Sequence, residues 1–383
     1  MIRFLDAGES HGRCLTAIIE GIPAGLKIDK DLINKNLLLR QSGYGRGARQ
    51  KIERDRIEFL SGVRFGETIG SPITITIKNR DFENWLNIMS PDAQKTRKKS
   101  ISMPRPGHAD LTGYIKYDRE DMRDVLERSS ARETAIRVAV GSICENVLAQ
   151  IGVDIISFVK SIGNVGIDSV DYNDKQLTKK IESSFVFCPD KKISDKMIAE
   201  IEEAKLKNDS IGGVIEACAR GVVPGLGSYS QWDRKLDAHI AYAAMSIQAI
   251  KAIEVGNGIK NAYNLGSCVH DEILFQKGYI RKTNNAGGIE GGMSNGENIV
   301  IRAYMKPIPT LKKGLNSIDV KTKLPHISHF ERSDVCAVPA ASIVVKSVIA
   351  YELLNAYMEK FGSDTLNELK KRVSEYKIYL KDK

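Results

Sequence analysis

Gly8-Glu9-Ser10-His11-Gly12, just after the strand-like run Ile2-Arg3-Phe4-Leu5, bears first on the choice of fold class. It matches the G-x-S-x-G pattern of a nucleophile elbow, where a serine tops a strand-to-helix turn of a parallel sheet. That geometry requires a formed sheet and oxyanion donors from an upstream loop, and only seven residues precede the pattern. The elbow reading therefore fails, and a doubly wound sheet loses its main support. What is left is a glycine-flanked turn that carries a serine and a histidine and can bring both close to a ligand.

Outward from this turn the chain mixes strands and helices without a regular βαβ period. Ile57-Glu58-Phe59-Leu60-Ser61-Gly62-Val63 alternates and predicts a strand ending at a glycine. Ser71-Pro72-Ile73-Thr74-Ile75-Thr76-Ile77-Lys78 alternates more strictly, with β-branched residues on both phases, and predicts a half-buried strand. Asp92 to Ser102 has no apolar period and reads as an exposed basic loop. Ser130-Ala131-Arg132-Glu133 fits a capping box, and the dense apolar series from Ala135 to Leu148 predicts a helix buried on most sides, stopping at Gly152.

Residues 177–207 contain a peripheral helical pattern through Met197, Ile198, Ile201, Ala204 and Leu206. Leu236 to Val255 reads as a second helix, rich in small residues. The glycine-rich tract 287–296 leads into a strand, Ile299 to Tyr304. Residues 342–361 read as a helix, and 362–383 as a charged, partly helical tail. These blocks predict an α+β fold. The expected organisation is one large domain over 1–361, because candidate site residues are spread from Ser10 to Asp334.

The 383 residues suffice for a large core, and 42% hydrophobic with 27% charged residues is ordinary for a globular protein. No apolar stretch predicts a secretory signal or a membrane span; Val335 to Val345 is the longest, and Pro339 interrupts it. Six cysteines are scattered without a C-x-x-C pair, which argues against structural zinc and for a reducing, cytoplasmic setting. The net charge of +9 fits a basic globular protein, an anionic ligand or nucleic acid. Arg40, Arg46, Arg49, Arg54 and Arg56, interleaved with Gly43, Gly45 and Gly47, favour the anionic ligand. Sparse aromatics and the lack of a nucleic-acid motif make a nucleic-acid-binding protein the alternative.

Four polar knots flank apolar elements: Ser10-His11, Arg105 to Asp110, Arg128 to Glu133, and Arg332-Ser333-Asp334. A helix start at Ser130, with Arg128, Arg132 and two hydroxyls, would cradle a phosphate or carboxylate. His11 and His108 sit in glycine-containing polar turns and suit proton transfer near neutral pH. His239, His270, His326 and His329 read as structural or surface groups. Neither a G-x-G-x-x-G fingerprint nor a P-loop is present, and no metal constellation is visible. The residues alone point to an enzyme for a strongly anionic, phosphorylated substrate.

Taken in order, these tracts resemble the chorismate synthases. The resemblance runs from Arg3 to about Tyr357. It includes Ala7 to Gly12, Arg40 to Gly47, Arg105 to Asp110, Glu127 to Thr134, Trp232 to Asp237, Met245 to Ile250, Lys306 to Thr310, and Arg332 to Cys336. It implies a sandwich of antiparallel sheets with helices, a homotetramer, and a lyase of the shikimate pathway. That lyase converts 5-enolpyruvylshikimate 3-phosphate to chorismate and phosphate by anti-1,4-elimination with reduced FMN.

By the same resemblance His11 protonates the departing phosphate and His108 acts near N1 of the reduced flavin. Asp334 with Ser10 helps relay the proton that the flavin N5 takes from the substrate. The flavin is expected at Arg128, Ser129, Ser130, Gln248, Ala249, Gly291, Lys306, Pro307, Ile308, Pro309, Thr310 and Arg332. Arg40 and Arg46 match positions for NADPH, and Arg49, Arg105 and Arg132 are implied substrate-anion ligands. Two carboxylates and a phosphate on the substrate account for the arginine excess. Lys346 stands where an acidic residue is common, Ser342 and Val345 replace small glycines, and Tyr229 replaces a frequent histidine.

Overall fold

Ile73–Lys78, the most strictly alternating tract, forms an inner strand of a four-stranded antiparallel sheet. The computed structural model describes every residue except 48–53, 95, 97, 277 and 332. In that sheet the order is Arg3–Ala7, Cys14–Glu20, Ile73–Lys78, Ile57–Phe59. Ile73, Ile75 and Ile77 turn inward and pack with Leu15, Ala17 and Ile19. Gly8 leaves the first strand at φ +113°, and a Cβ there would lie 2.3 Å from the Cys14 carbonyl, so only glycine allows this turn.

A second antiparallel sheet has five strands in the order Ile250–Val255, Ile299–Met305, Gly213–Arg220, Asp154–Ile162, Val165–Gly166. Between the two sheets lie two long helices in contact with each other. Thr134–Gln150 faces the four-stranded sheet and Val338–Phe361 faces the five-stranded one. Gly141 marks where they cross most closely, because a Cβ there would meet the Ser347 carbonyl at 2.3 Å. By length and composition Val338–Phe361 could cross a membrane; 78% of its most apolar window is buried, as the central helix of a globular core requires. The fold is α+β, with helices and antiparallel sheets sharing one hydrophobic core.

Several local expectations are corrected. Ser130 does not close a capping box: its hydroxyl accepts from the Arg132 N–H at 3.3 Å, and Glu133 turns away to Arg137 and Gln248. A short helix, Arg123–Ser129, precedes it, and a 3-10 turn over Ala131–Glu133 leads into the buried helix. The helix from Leu236 ends at Met245, not Val255. Ala249 takes φ +66°, and the β-branched Ile250, Ile253 and Val255 then pair as an edge strand with Ile301–Met305. Residues 177–207 hold two helices, Leu177–Ser183 and Lys191–Leu206, the second burying Met197, Ile201 and Ala204 while Leu206 is exposed. The last long helix begins at Val338, four residues before the expected start, with Pro339 in its first turn.

The end of the chain is stitched to its beginning. Ile2 N–H donates to Asn355 Oδ1 at 2.7 Å, and Tyr351 O–H donates to the Ile2 carbonyl at 3.0 Å. Ala24 N–H donates to the Asp364 carbonyl at 2.9 Å, and Leu366 N–H to the Ala24 carbonyl at 2.8 Å. Leu366–Tyr379 is a helix with a capping box at Thr365 and Glu368, and it buries Leu366, Leu369 and Val373.

Three of the departures from the family pattern are accommodated in the core. Lys346 Nζ lies 2.9 Å from Glu145 Oε1 and 3.4 Å from Asn36 Oδ1, so its charge is paired between helices. Ser342 donates to the Pro339 carbonyl at 2.7 Å, and Val345 is fully buried. Tyr229 is exposed.

Candidate functional site

The Gly8–Gly12 turn is held from two sides. Ser10 N–H donates to the Glu127 carbonyl at 2.8 Å. Asn79 Nδ2 donates to the carbonyls of Glu9 and Gly12 at 3.1 and 2.8 Å. Asn79 Oδ1 in turn accepts from Arg132 Nε and Nη2 at 3.0 and 2.8 Å, and Arg132 Nη1 meets Asp55 Oδ2 at 2.6 Å. The turn is thus a rigid mount, and it presents His11 to the helix Arg123–Ser129.

His11 is 8% exposed. Its Nδ1 lies 2.9 and 3.1 Å from the two Glu127 oxygens, and its N–H donates to Glu127 Oε2 at 2.7 Å. The imidazole stacks on Trp85 with centroids 3.9 Å apart and planes 22° apart. Lys99 Nζ sits 3.3 Å from the same indole and the Arg123 guanidinium carbon 5.2 Å from it. Lys99 and Arg123 thus share one ring with the histidine, and Arg123 is at the same time paired with Glu127 and Glu331. Ser130 O–H donates to Ser10 Oγ at 3.2 Å.

The second histidine has a similar setting. His108 Nδ1 lies 2.6 Å from Asp110 Oδ1. Arg105 brings its N–H, Nε and Nη2 to the same carboxylate at 3.1, 2.8 and 2.9 Å, and its Nη1 donates to Thr310 Oγ1 at 2.8 Å. Burial alone would raise the Asp110 pKa, but the hydrogen bonds from His108 and Arg105 outweigh it and hold the carboxyl well below its ordinary range. Lys306 Nζ donates to the Gly107 carbonyl at 2.6 Å, which ties the Lys306–Thr310 tract to the same turn.

Asp334 forms a third centre. Its Oδ2 pairs with Arg46, and its Oδ1 accepts from Gly47 N–H at 2.6 Å. Glu331, Ser333 and Asp334 link the three centres. Glu331 meets Arg123 Nη2 at 2.6 Å, Arg123 Nη1 lies 3.4 Å from Glu127, and Glu127 holds His11. Ser333 donates to the Thr310 carbonyl at 3.0 Å, and Thr310 holds Arg105. Burial works to raise Glu331, yet His329 and Arg123 bring its pKa down to about 2.

Among the other expected residues, Arg40 is buried, with Nη2 on the Ala131 carbonyl at 2.7 Å and Nε on Thr134 Oγ1 at 2.9 Å. Burial, opposed by Asp55 and reinforced by Arg132, lowers its pKa to about 9. Arg128 is partly exposed and reaches Asp6 Oδ2 at 2.9 Å and the Gly8 carbonyl at 3.2 Å. Gln248 Nε2 donates to Glu133 Oε1 at 2.6 Å, and Lys306 N–H donates to the Ala249 carbonyl at 2.9 Å. Ile308 accepts from Ser210 Oγ at 2.6 Å. Pro307 and Pro309 lie on the same Lys306–Thr310 tract. Gly291 turns a separate hairpin, Ile289–Glu290 with Met293–Ser294, bonded to Leu226 and Leu236. Arg49 and Arg332 lie outside the described residues.

Glu127, Arg123, Asp110, Trp85, Lys99, Asn79 and Glu331 complete these centres but carried no role in the sequence reading. Arg123 and Glu127 do show the i,i+4 ion-pair spacing, and Asp110 follows His108 by two residues. Trp85 and Lys99 carry no local signal at all. His329 lies against Glu331 at 3.5 Å, a structural contact.

The model of a family described as chorismate synthase matches residues 2–358. A chorismate synthase of Desulforamulus reducens is 52% identical, with 100% of both chains covered. One of Geobacter sulfurreducens is also 52% identical over the full length of both. A crystal structure of a chorismate synthase is similar with a TM-score of 0.81 at 42% identity, covering 100% of this chain and 99% of that one. This chain belongs to the chorismate synthase family.

Proposed function

We propose that the ground framed by Ser10-His11, Arg105–Asp110 and Glu331–Asp334 is where this lyase of the shikimate pathway works. There it converts 5-enolpyruvylshikimate 3-phosphate to chorismate and phosphate. The observation that carries the assignment is that Glu331 reaches the His11–Glu127 pair through Arg123, and Ser333, beside Asp334, reaches the His108–Asp110 pair through Thr310 and Arg105. An elimination that expels phosphate needs a proton source at the leaving oxygen and fixed positive groups around it. His11, beside Lys99 and Arg123 on the Trp85 ring, meets both needs and is assigned to protonate the phosphate. Arg49 is assigned to the substrate anion, while Arg105, Arg132 and Arg40 have their bonds inside the frame and serve to hold it. His108 keeps a proton beside the cofactor, and Asp334 with Ser10 hands a proton onward.

Reduced FMN supplies a transient electron to the elimination, which leaves the protein to orient and protonate. The chain fits such a group: Ser129 Oγ and Gln248 Oε1 are buried with no hydrogen-bond partner among the described residues, as unfilled ligand contacts would be. With them, Arg128, Ser130, Ala249, Gly291, the tract Lys306 to Thr310 and Arg332 would hold the flavin. NADPH is the proposed reductant, with Arg46 its contact.

Exposed Tyr229, Trp232, Tyr242, Tyr263, Leu265 and Phe275 support self-association, and the assembly proposed is a homotetramer. We place the protein in the cytoplasm and the lyase domain at 1–361, with 362–383 as its tail. An anaerobic assay of phosphate release with and without reduced FMN tests the reading. Release that needs reduced flavin is expected; flavin-independent turnover, or none with flavin supplied, overturns it.

A further inference from the structure

We infer that Glu127 is the positioning residue of His11, holding its imidazole as the Nδ1–H tautomer so that Nε2 is the nitrogen that exchanges the proton. Three features of the contact carry this. The two residues are clamped through the backbone, since Ser10 N–H meets the Glu127 carbonyl at 2.8 Å and His11 N–H meets Glu127 Oε2 at 2.7 Å. Both Glu127 oxygens lie within 3.1 Å of Nδ1. The Trp85 stack fixes the ring plane, and turning the ring over within that plane would put Cδ2 where Nδ1 meets Glu127, so the carboxylate contact selects the observed facing.

A carboxylate has only lone pairs to offer, so a nitrogen at 2.9 Å from it must donate. Arg123, four residues earlier on the same helix, directs Nη1 at Glu127 Oε1 at 3.4 Å, a further donor to the same carboxylate. A neutral imidazole has one N–H. If Nδ1 carries it, Nε2 is bare, and no hydrogen bond engages Nε2 among the described residues. The imidazolium then differs from the neutral ring only by a proton on Nε2. In the donating step the Nε2–H bond breaks, an O–H bond forms on the departing phosphate, and the electron pair stays on Nε2. The ring returns to the same tautomer, so no proton need migrate between its nitrogens before the next turnover. Asp110 makes the corresponding contact with His108 Nδ1, again with an arginine on the carboxylate.

The tautomer stands on geometry alone, whereas its catalytic consequence rests on the proposed role of His11. Two readouts therefore test it. In the full chain labelled with 15N-histidine, without flavin, the His11 signal (identified by its loss in His11→Gln) should show a protonated Nδ1 and a bare Nε2 above the imidazole titration. Glu127→Gln presents an amide that donates as well as accepts, and should give a mixed or reversed tautomer. Its kcat should fall about 10- to 100-fold, the range for partners that orient a functional histidine, with KM within about twofold of the parent. An Nε2–H signal in the parent overturns the inference, as does a folded Glu127→Gln protein with kcat within about threefold of the parent. Should Glu127→Gln not fold, the parent spectrum still decides. A parent that releases no phosphate with reduced flavin would sink the functional reading while leaving the tautomer result standing.

Discussion

Glu352 lies on the central helix with 9% of its surface exposed and one basic neighbour, His239, whose Nδ1 is 3.8 Å from Oε2. Burial raises its pKa from 4.5 to about 7, and the attraction of His239 only partly offsets that. A raised acid stabilises the fold only while protonated. Its contribution is complete below the unfolded pKa and is lost as pH climbs through the folded one. At 1.36 kcal/mol per pH unit, the rise to about 7 is worth about 3 kcal/mol, all of it lost by pH 8. Glu352→Gln keeps the shape and removes the charge. It should therefore unfold at higher urea than the parent at pH 8.5, by about 2 to 3 kcal/mol, and match it at pH 4.5. Urea titrations followed by circular dichroism, at one protein concentration, give both values. A variant no more stable than the parent at pH 8.5, or an advantage that persists unchanged at pH 4.5, would refute the reasoning.

Asp110→Asn removes the counter-charge of Arg105, which is 6% exposed, and should cost about 3 to 5 kcal/mol in urea unfolding at pH 7. A loss under about 1 kcal/mol would mean that water or another group compensates Arg105. Lys346→Met strands Glu145 between helices; a double-mutant cycle with Glu145→Leu should return a coupling of about 1 to 3 kcal/mol, and additive losses would show the pair is idle. Gly141→Ala puts a methyl 2.3 Å from the Ser347 carbonyl and should lower stability by about 1 to 3 kcal/mol, which thermal unfolding checks; an unchanged midpoint would show that the two helices can part freely.

Much of the fold was legible because its key elements carry their own period. Ile73–Lys78 alternates and is an inner strand; Thr134–Gln150 is densely apolar and is buried on most sides. The misread elements depend on distant partners. Ile250–Val255 continues a helical pattern locally, but the strand Ile299–Met305 offers it a ladder that no local propensity reveals. The Ser130 capping signal was real in composition, yet a preceding helix had already placed Ser130 at its own C-terminal end.

The candidate site divides in the same way. His11 and His108 stand out because glycines and charges surround them. Glu127 is 116 residues from His11, and Trp85 sits in an unremarkable polar stretch, so neither could be tied to the histidine before the chain was folded. Asp110 was within reach, since it lies two residues from His108.

The stitching of Ile2 to Asn355, and of Ala24 to Asp364 and Leu366, bears on how the protein is made. Synthesis runs from the N-terminus, and Thr134–Gln150 can cover the four-stranded sheet early, yet the inner face of the five-stranded sheet waits for Val338–Phe361. A nascent chain that has delivered Asp334 into the ribosomal tunnel still lacks its central helix. Its five-stranded sheet is then open to water and to neighbouring chains, and the core closes only once that helix has emerged.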